Sequence, residues 1–333
     1  MSNLQQPQST EITVLNASFN AKIERHFDTL DTDPDVLAQL LADKRSENTR
    51  RAYAKDATDF FREMTNTEAT PDAVLEFLHL QERQAVAVVL KYKAKLIAKG
   101  LKEATVNRRL AAIKSLVVMG RKLGVCAYSL ADIKGEKNQG YRDTTGVSRD
   151  TFKSILNQCD RSSILGKRNY ALLRLLWDNA LRRSEVVKAN IGDFDGTSLK
   201  IRGKGQGTAT QTIDLAPVTA DAISDWLTAR GRVNRSDSPL FTALDYANLG
   251  HRLSGEAVRY TVDKLSQQAG IVKKMSPHRV RHSSITAALD ATDGNIRKVQ
   301  KLSRHSDPRT LMIYDDNRAR DQQTISGLLA DMV

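Results

Sequence analysis

One hairpin is all the strand this sequence offers. LKIRG at residues 199–203 and TQTIDL at 210–215 read as short strands, and the glycines of the intervening KGQGTA suit a turn. Elsewhere the patterned stretches repeat their apolar residues at three and four, the period of a helix face. A chain of 333 residues so patterned can bury a core only by packing helices, with the hairpin and at most a third strand as a minor addition. The expected class is mainly α. The length suits two domains, each large enough for its own core.

Residues 1–35 lack apolar periodicity and end in DTLDTDPD, so a disordered acidic tail is expected there. Residues 36–134 read as a helical domain: DVLAQLLADK, NTRRAYAKDATDFFREM, a helix opened by Thr70 and Pro71, and two basic helices near 83–99 and 104–123. GEKNQGYRDTTG at 135–146 is Gly-rich and polar, which marks an interdomain linker. A second domain spans 147–333. Its expected elements are a helix capped by Ser148 and running to about Cys159, an apolar helix near 167–181, the hairpin, and helices over 219–230, 254–270, 276–289, 295–302, 308–314 and 322–332. In the last of these Ile325, Leu328, Leu329 and Met332 share a face that needs a groove to cover it, on this chain or on a neighbour.

Every long apolar run is cut by a charge before it could span a bilayer, and the N-terminus lacks a basic region followed by an apolar core. The expected location is therefore the cytoplasm, with no membrane partner. Cys126 and Cys159 are too few for a thiolate zinc site. Net charge is +12, and the first 43 residues hold seven acids against two bases, which leaves +17 on the other 290. That footprint suits a polyanion such as nucleic acid. It is dense over residues 81–122, with eleven Lys or Arg and two Glu. Lys91, Lys95, Arg108, Arg109 and Lys114 on these helices, with Arg50, Arg51 and Lys55 on a neighbouring one, are the expected DNA contacts.

Four places in the second domain carry cations or hydrogen-bond donors at helix starts or on the hairpin. In MSPHRVRHS, Ser276 caps and Pro277 opens a helix that sets His278 and Arg281 one turn apart. A guanidinium there can grip two phosphate oxygens while the imidazole moves a proton. Arg182 and Glu185 stand at i and i+3 after the apolar helix, and Lys204 lies between two turn glycines. Finally His305 precedes Tyr314 by nine residues, with Asp307 and Pro308 opening the helix between them. Singly, each feature has an ordinary structural explanation: an intrahelical ion pair, an exposed turn lysine, a packed tyrosine.

The ordered set is different. Arg-x-x-Glu, a hairpin Lys, His-x-x-Arg-His, then HSDPRTLMIY resembles the tyrosine recombinase (phage integrase) family in its Cre- and Xer-like form. The resemblance covers 147–333, and SENTRRAYAKDATDFF and ATVNRRLAAIKSL extend it to the family's helical core-binding domain. It implies Tyr314 as nucleophile, Arg182 and Arg281 as phosphate-clamping arginines, and His278 in the acid/base position. Lys204 would be general acid to the leaving 5′-oxygen, His305 a donor to the phosphate, and Glu185 a supporting acid. The implied enzyme cuts and rejoins duplex DNA through a 3′-phosphotyrosyl link, with no cofactor, metal or ATP. Its substrate would be an inverted-repeat site bound by a homodimer, with a homotetramer in the synapse. A type IB topoisomerase or hairpin-forming resolvase shares this chemistry, and a non-catalytic DNA-binding regulator could share the fold. One departure stands out: the family commonly has Gly before the late histidine, and Arg304 stands here, which puts the local backbone geometry in question.

Overall fold

The computed structural model describes residues 33–137, 146–203, 209–231, 235–315 and 321–332. The chain divides into two units, Met1–Gly140 and Tyr141–Val333.

Five helices make up the described part of the first unit: α1 (Val36–Ala42), α2 (Glu47–Thr65), α3 (Pro71–Leu78), α4 (Glu82–Ala98) and α5 (Glu103–Lys122). Local chemistry sets their starts. The side chains of Asp35, Ser46 and Thr70 accept from backbone N–H groups three residues on, and Pro71 occupies the first helical position of α3. Asn66 ends α2 in the left-handed region at φ 60°. Asp35, which the sequence assigns to the tail, is thus part of the fold; residues 1–32 lie outside the described residues. Phe60 anchors the core, its ring meeting Phe61, Phe77 and Tyr92 edge-on at centroid distances of 5.0–5.1 Å.

The second unit is built on α7 (Ile164–Asp178), whose Ala171, Leu172, Leu173, Leu175 and Leu176 are wholly buried. On it pack α9 (Pro217–Arg230) and α11 (Pro277–Asp290), Phe152 of α6 (Arg149–Leu156) stacks on its Trp177, and α10 (Gly255–Gln268) packs against α6 and α11. Trp226 of α9 is fully buried and donates its indole N–H to the Leu240 carbonyl at 2.8 Å. The short α8 (Arg183–Lys188) follows α7, and the chain closes with α12 (Ile296–Ser303), α13 (Arg309–Asp315) and α14 (Asp321–Ala330). β1 (Ser198–Ile201) and β2 (Gln211–Asp214) pair antiparallel, Leu199 opposite Ile213.

Among the described residues the sheet is the expected two-stranded hairpin, to which one bridge between Phe194 and Leu199 is added. Two expectations need correction. The helix capped by Ser148 stops at Leu156, because the chain turns back at Asp160, whose carbonyl closes against Gly166 so tightly that a Cβ there would lie 1.8 Å away. The last helix begins at Asp321 and ends at Ala330, with Leu328, Leu329 and Met332 exposed. Among the described residues no helix is long and apolar enough to cross a membrane.

Candidate active site

The site starts at the corner after α7. Asn179 ends that helix, and the buried Ala180 takes φ +45°, a left-handed value that costs an L-residue energy. Arg182 is the N-cap of α8. Glu185 reaches back from the third helical position, so that Arg182 donates to it twice at 2.8 Å, once from its backbone N–H and once from its guanidinium. Burial pushes the Glu185 carboxyl up, but Arg304 and Arg182 outweigh it and hold the group below its ordinary value.

Arg281 lies one turn inside α11, whose start is fixed by the Ser276 cap and Pro277. It is 2 % exposed, and its guanidinium donates to the carbonyls of Ala180 and Ser303. Burial, then the charges of Arg182 and Arg304, bring its pKa down to about 10, so it stays cationic near neutrality. Arg281 Nη2 also stands 3.3 Å from His305 Nε2. A guanidinium can only donate, so His305 Nε2 accepts and the ring's proton is on Nδ1. Burial, followed by Arg281, Arg182, Arg304 and His278, depresses the His305 pKa to about 4, which keeps the imidazole neutral. Its Nδ1 is buried and has no hydrogen-bond partner among the described residues. His278, one turn before Arg281, is exposed.

Tyr314 belongs to a small core of its own with Ala180, Ile285, Leu289, Val299 and Leu311. Its ring centroid lies 4.1 Å from that of His282 and 6.0 Å from that of His305. Burial pushes the phenol pKa up, while Arg281 and Arg182 pull it down. Arg304 resolves the departure noted in the sequence. It ends α12 at φ +56°, the conformation for which glycine is favoured, and its guanidinium turns inward to contact Glu185 Oε2 at 3.0 Å.

Arg182, Glu185, Arg281, His305 and Tyr314 therefore meet in one place, joined contact by contact. Lys204 lies outside the described residues, although the paired ends Ile201 and Gln211 bracket its loop. Two residues at the centre carried no role from sequence: His282, and Arg304, which stood out only as a departure before the late histidine. Each directly follows or precedes a chosen residue, and the side of the chain it faces follows only from the tertiary packing.

The cations of the first unit fare differently. Arg108 pairs with the buried Asp56, and Arg109 with Asp59, which also accepts from the Tyr92 hydroxyl at 2.6 Å. Lys95 donates to the Glu63 carbonyl at 2.5 Å, and Lys114 to that of Ile133. Arg50 and Arg51 lie 3.5 and 3.7 Å from Glu47, while Lys55 and Lys91 are exposed. Half of the expected contacts thus hold the unit's own helices together.

Comparison with known proteins agrees with this geometry. The phage integrase family model matches residues 147–320, and that of the phage integrase N-terminal SAM-like domain matches 37–119. A tyrosine recombinase of Synechocystis sp. is 53 % identical over 300 residues, 90 % of this chain and 96 % of that one. A tyrosine recombinase of Synechococcus elongatus is 47 % identical over 303 residues, 90 % of this chain and 94 % of that one. Among solved structures, the XerH site-specific recombinase bound to a palindromic difH substrate in a post-cleavage complex shares the fold. Its TM-score is 0.61 at 18 % identity, over 88 % of this chain and 94 % of that one.

Proposed function

This chain belongs to the phage integrase family of tyrosine recombinases, which cut and rejoin DNA at specific sites through a phosphotyrosyl intermediate, and from that premise we propose how its residues divide the reaction. The Tyr314 phenol oxygen attacks the scissile phosphorus. The new bond is a 3′-phosphotyrosine, the bond broken is that to the 5′-oxygen, and this oxygen leaves as a hydroxyl. Arg182 and Arg281 grip the non-bridging oxygens, and the unpartnered Nδ1–H of His305 donates to them. His278 handles the proton of the attacking phenol, and Lys204 protonates the leaving oxygen. Because the phosphotyrosine conserves the energy of the phosphodiester, a 5′-hydroxyl from a second strand reverses the step without ATP.

One observation carries this reading: the run of contacts from Arg182 through Glu185, Arg304, the Ala180 carbonyl and Arg281 to His305, with Tyr314 beside it. Attack on phosphorus adds negative charge, and fixed cations and N–H donors in a buried site stabilise that charge without reorganising. The domain division that goes with it is an N-terminal tail that ends before Asp35, a DNA-binding domain that the Asp35 cap opens and that runs to 134, a linker over 135–146 and a catalytic domain over 147–333. Working in the cytoplasm, two copies would bind one inverted-repeat site and four would form the synapse. The exposed Leu328 and Leu329 of α14, with the exposed Met332 just beyond it, offer apolar surface for such assembly.

Covalent capture tests the assignment. Full-length protein incubated with a random-sequence duplex library should trap DNA on Tyr314, and the trapped sequences should contain inverted repeats. Tyr314→Phe should trap none while still binding the recovered duplex. Adduct formation by the Phe variant would falsify the nucleophile, and strand joining between two copies of the recovered site separates a recombinase from a topoisomerase.

A further inference from the structure

At the site itself, the mechanism above gives one buried guanidinium no task. Arg304 has a side chain 6 % exposed, and it adopts the left-handed region at a position where glycine would be free of strain. A helix end needs only the backbone conformation. A buried guanidinium needs more, because every charged group taken from water must be repaid by partners. Arg304 has four. It donates to the carbonyls of Leu302 at 2.6 Å and Asn179 at 3.0 Å, to that of Ala180 at 3.3 Å, and to Glu185 Oε2 at 3.0 Å.

Two of these acceptors are shared with the clamp. Glu185 also holds Arg182, and the Ala180 carbonyl also holds Arg281. Arg304 thus contacts both supports, and it is adjacent in sequence to His305. It also changes the charge balance. Arg182 and Glu185 alone would form a self-neutralised pair, whereas Arg304 supplies Glu185 with a second cation. The clamp arginines then face a phosphate with their charge uncancelled.

We propose that Arg304 is a positioning residue for DNA cleavage: it fixes Glu185 and the Ala180 carbonyl, and through them sets the geometry and free charge of Arg182 and Arg281. This rests on the assignment of Tyr314 and the two arginines made above.

The test uses full-length protein and the duplex recovered by covalent capture, nicked so that cleavage is trapped. Arg304→Gly preserves the backbone conformation and removes the guanidinium. It should slow single-turnover cleavage about 10- to 100-fold, the scale expected for a clamp displaced by about an ångström, while DNA affinity stays nearly unchanged. Imidazole NMR should show His305 titrating higher than in the parent, since a neighbouring positive charge is gone; a role confined to ending the helix would leave that titration in place. Arg304→Lys keeps a charge but cannot span both supports, so it should hold the His305 titration low and recover only part of the rate. Parental cleavage by Arg304→Gly, or an unmoved His305 titration, overturns the proposal. Should the Gly variant fail to fold, parental cleavage by Arg304→Lys does the same. Adduct formation by Tyr314→Phe brings down the underlying assignment and Arg304 with it; an inactive Tyr314→Phe beside a fully active Arg304→Gly brings down Arg304 alone.

Discussion

The two units both use arginine against carboxylate, in opposite proportions. In the first, four cations that join its parts each meet one acid: Arg108 with Asp56, Arg109 with Asp59, Lys99 with Glu63, Lys93 with Glu136. At the candidate site of the second, two arginines, Arg182 and Arg304, share a single carboxylate, Glu185, and a third, Arg281, binds carbonyls instead. The first arrangement cancels charge and fastens helices. The second leaves a surplus of positive charge in a buried place, where it is strong and where only an anion can relieve it. A dense run of lysines and arginines is therefore a poor guide to ligand binding until the acids that face it are known.

Variants can break this contrast. The largest effect should come from the surplus: Arg182→Ala or Arg281→Ala should slow cleavage by about 10²–10³ or more in single-turnover assays, as expected for loss of one oxyanion-stabilising donor, with DNA binding largely kept. Parental rates would mean the surplus is not catalytic. Next, Arg108→Ala strips the partner from a buried acid and should lower unfolding stability by about 1–3 kcal/mol, read by thermal melting, with a lesser effect on DNA affinity. Lys91→Ala, at an exposed position, should do the reverse: an unchanged melting curve, and a slope of log affinity against log salt reduced by about 1. An Arg108 variant that melts normally but binds DNA poorly would invert the comparison.

Acid offers a third probe. Folding lowers the His305 pKa from its ordinary 6.5 to about 4, so the folded state favours the neutral ring. Its contribution is complete above about pH 6.5 and is lost as pH falls towards about 4. Denaturation midpoints for His305→Gln should fall less across this window than those of the parent. The smallest effect is expected at Ala180→Gly, which relieves a left-handed residue at φ +45° and should raise stability by about 1 kcal/mol.

Several candidate residues of the second unit could be read from sequence because they stand at or near helix starts, and helix starts are written locally. Ser276 and Pro277 place Arg281, and Asp307 accepts from the Arg309 N–H at the entrance to α13. The mainly helical architecture was legible for the same reason. The partners of the first unit's arginines were not, since the acids that meet Arg108 and Arg109 lie 52 and 50 residues away and no local pattern connects them. Arg304 was visible only as a misfit. Its purpose depends on Glu185, 119 residues upstream, and on a backbone angle that becomes evident only in three dimensions.

The Ala180 carbonyl, on which Arg281 and Arg304 both close, has a further consequence for anyone mapping this protein by mutagenesis. Substitution changes side chains and leaves main-chain oxygens where they were. A saturation scan would rank the arginines as intolerant and score Ala180 by the fate of a methyl group. The residue that anchors both would then register as a steric detail, and the map of the site would be blank at its hub. Only a main-chain edit, such as an ester in place of the amide that follows Ala180, would weaken that oxygen as an acceptor and reveal how much of the site hangs from it.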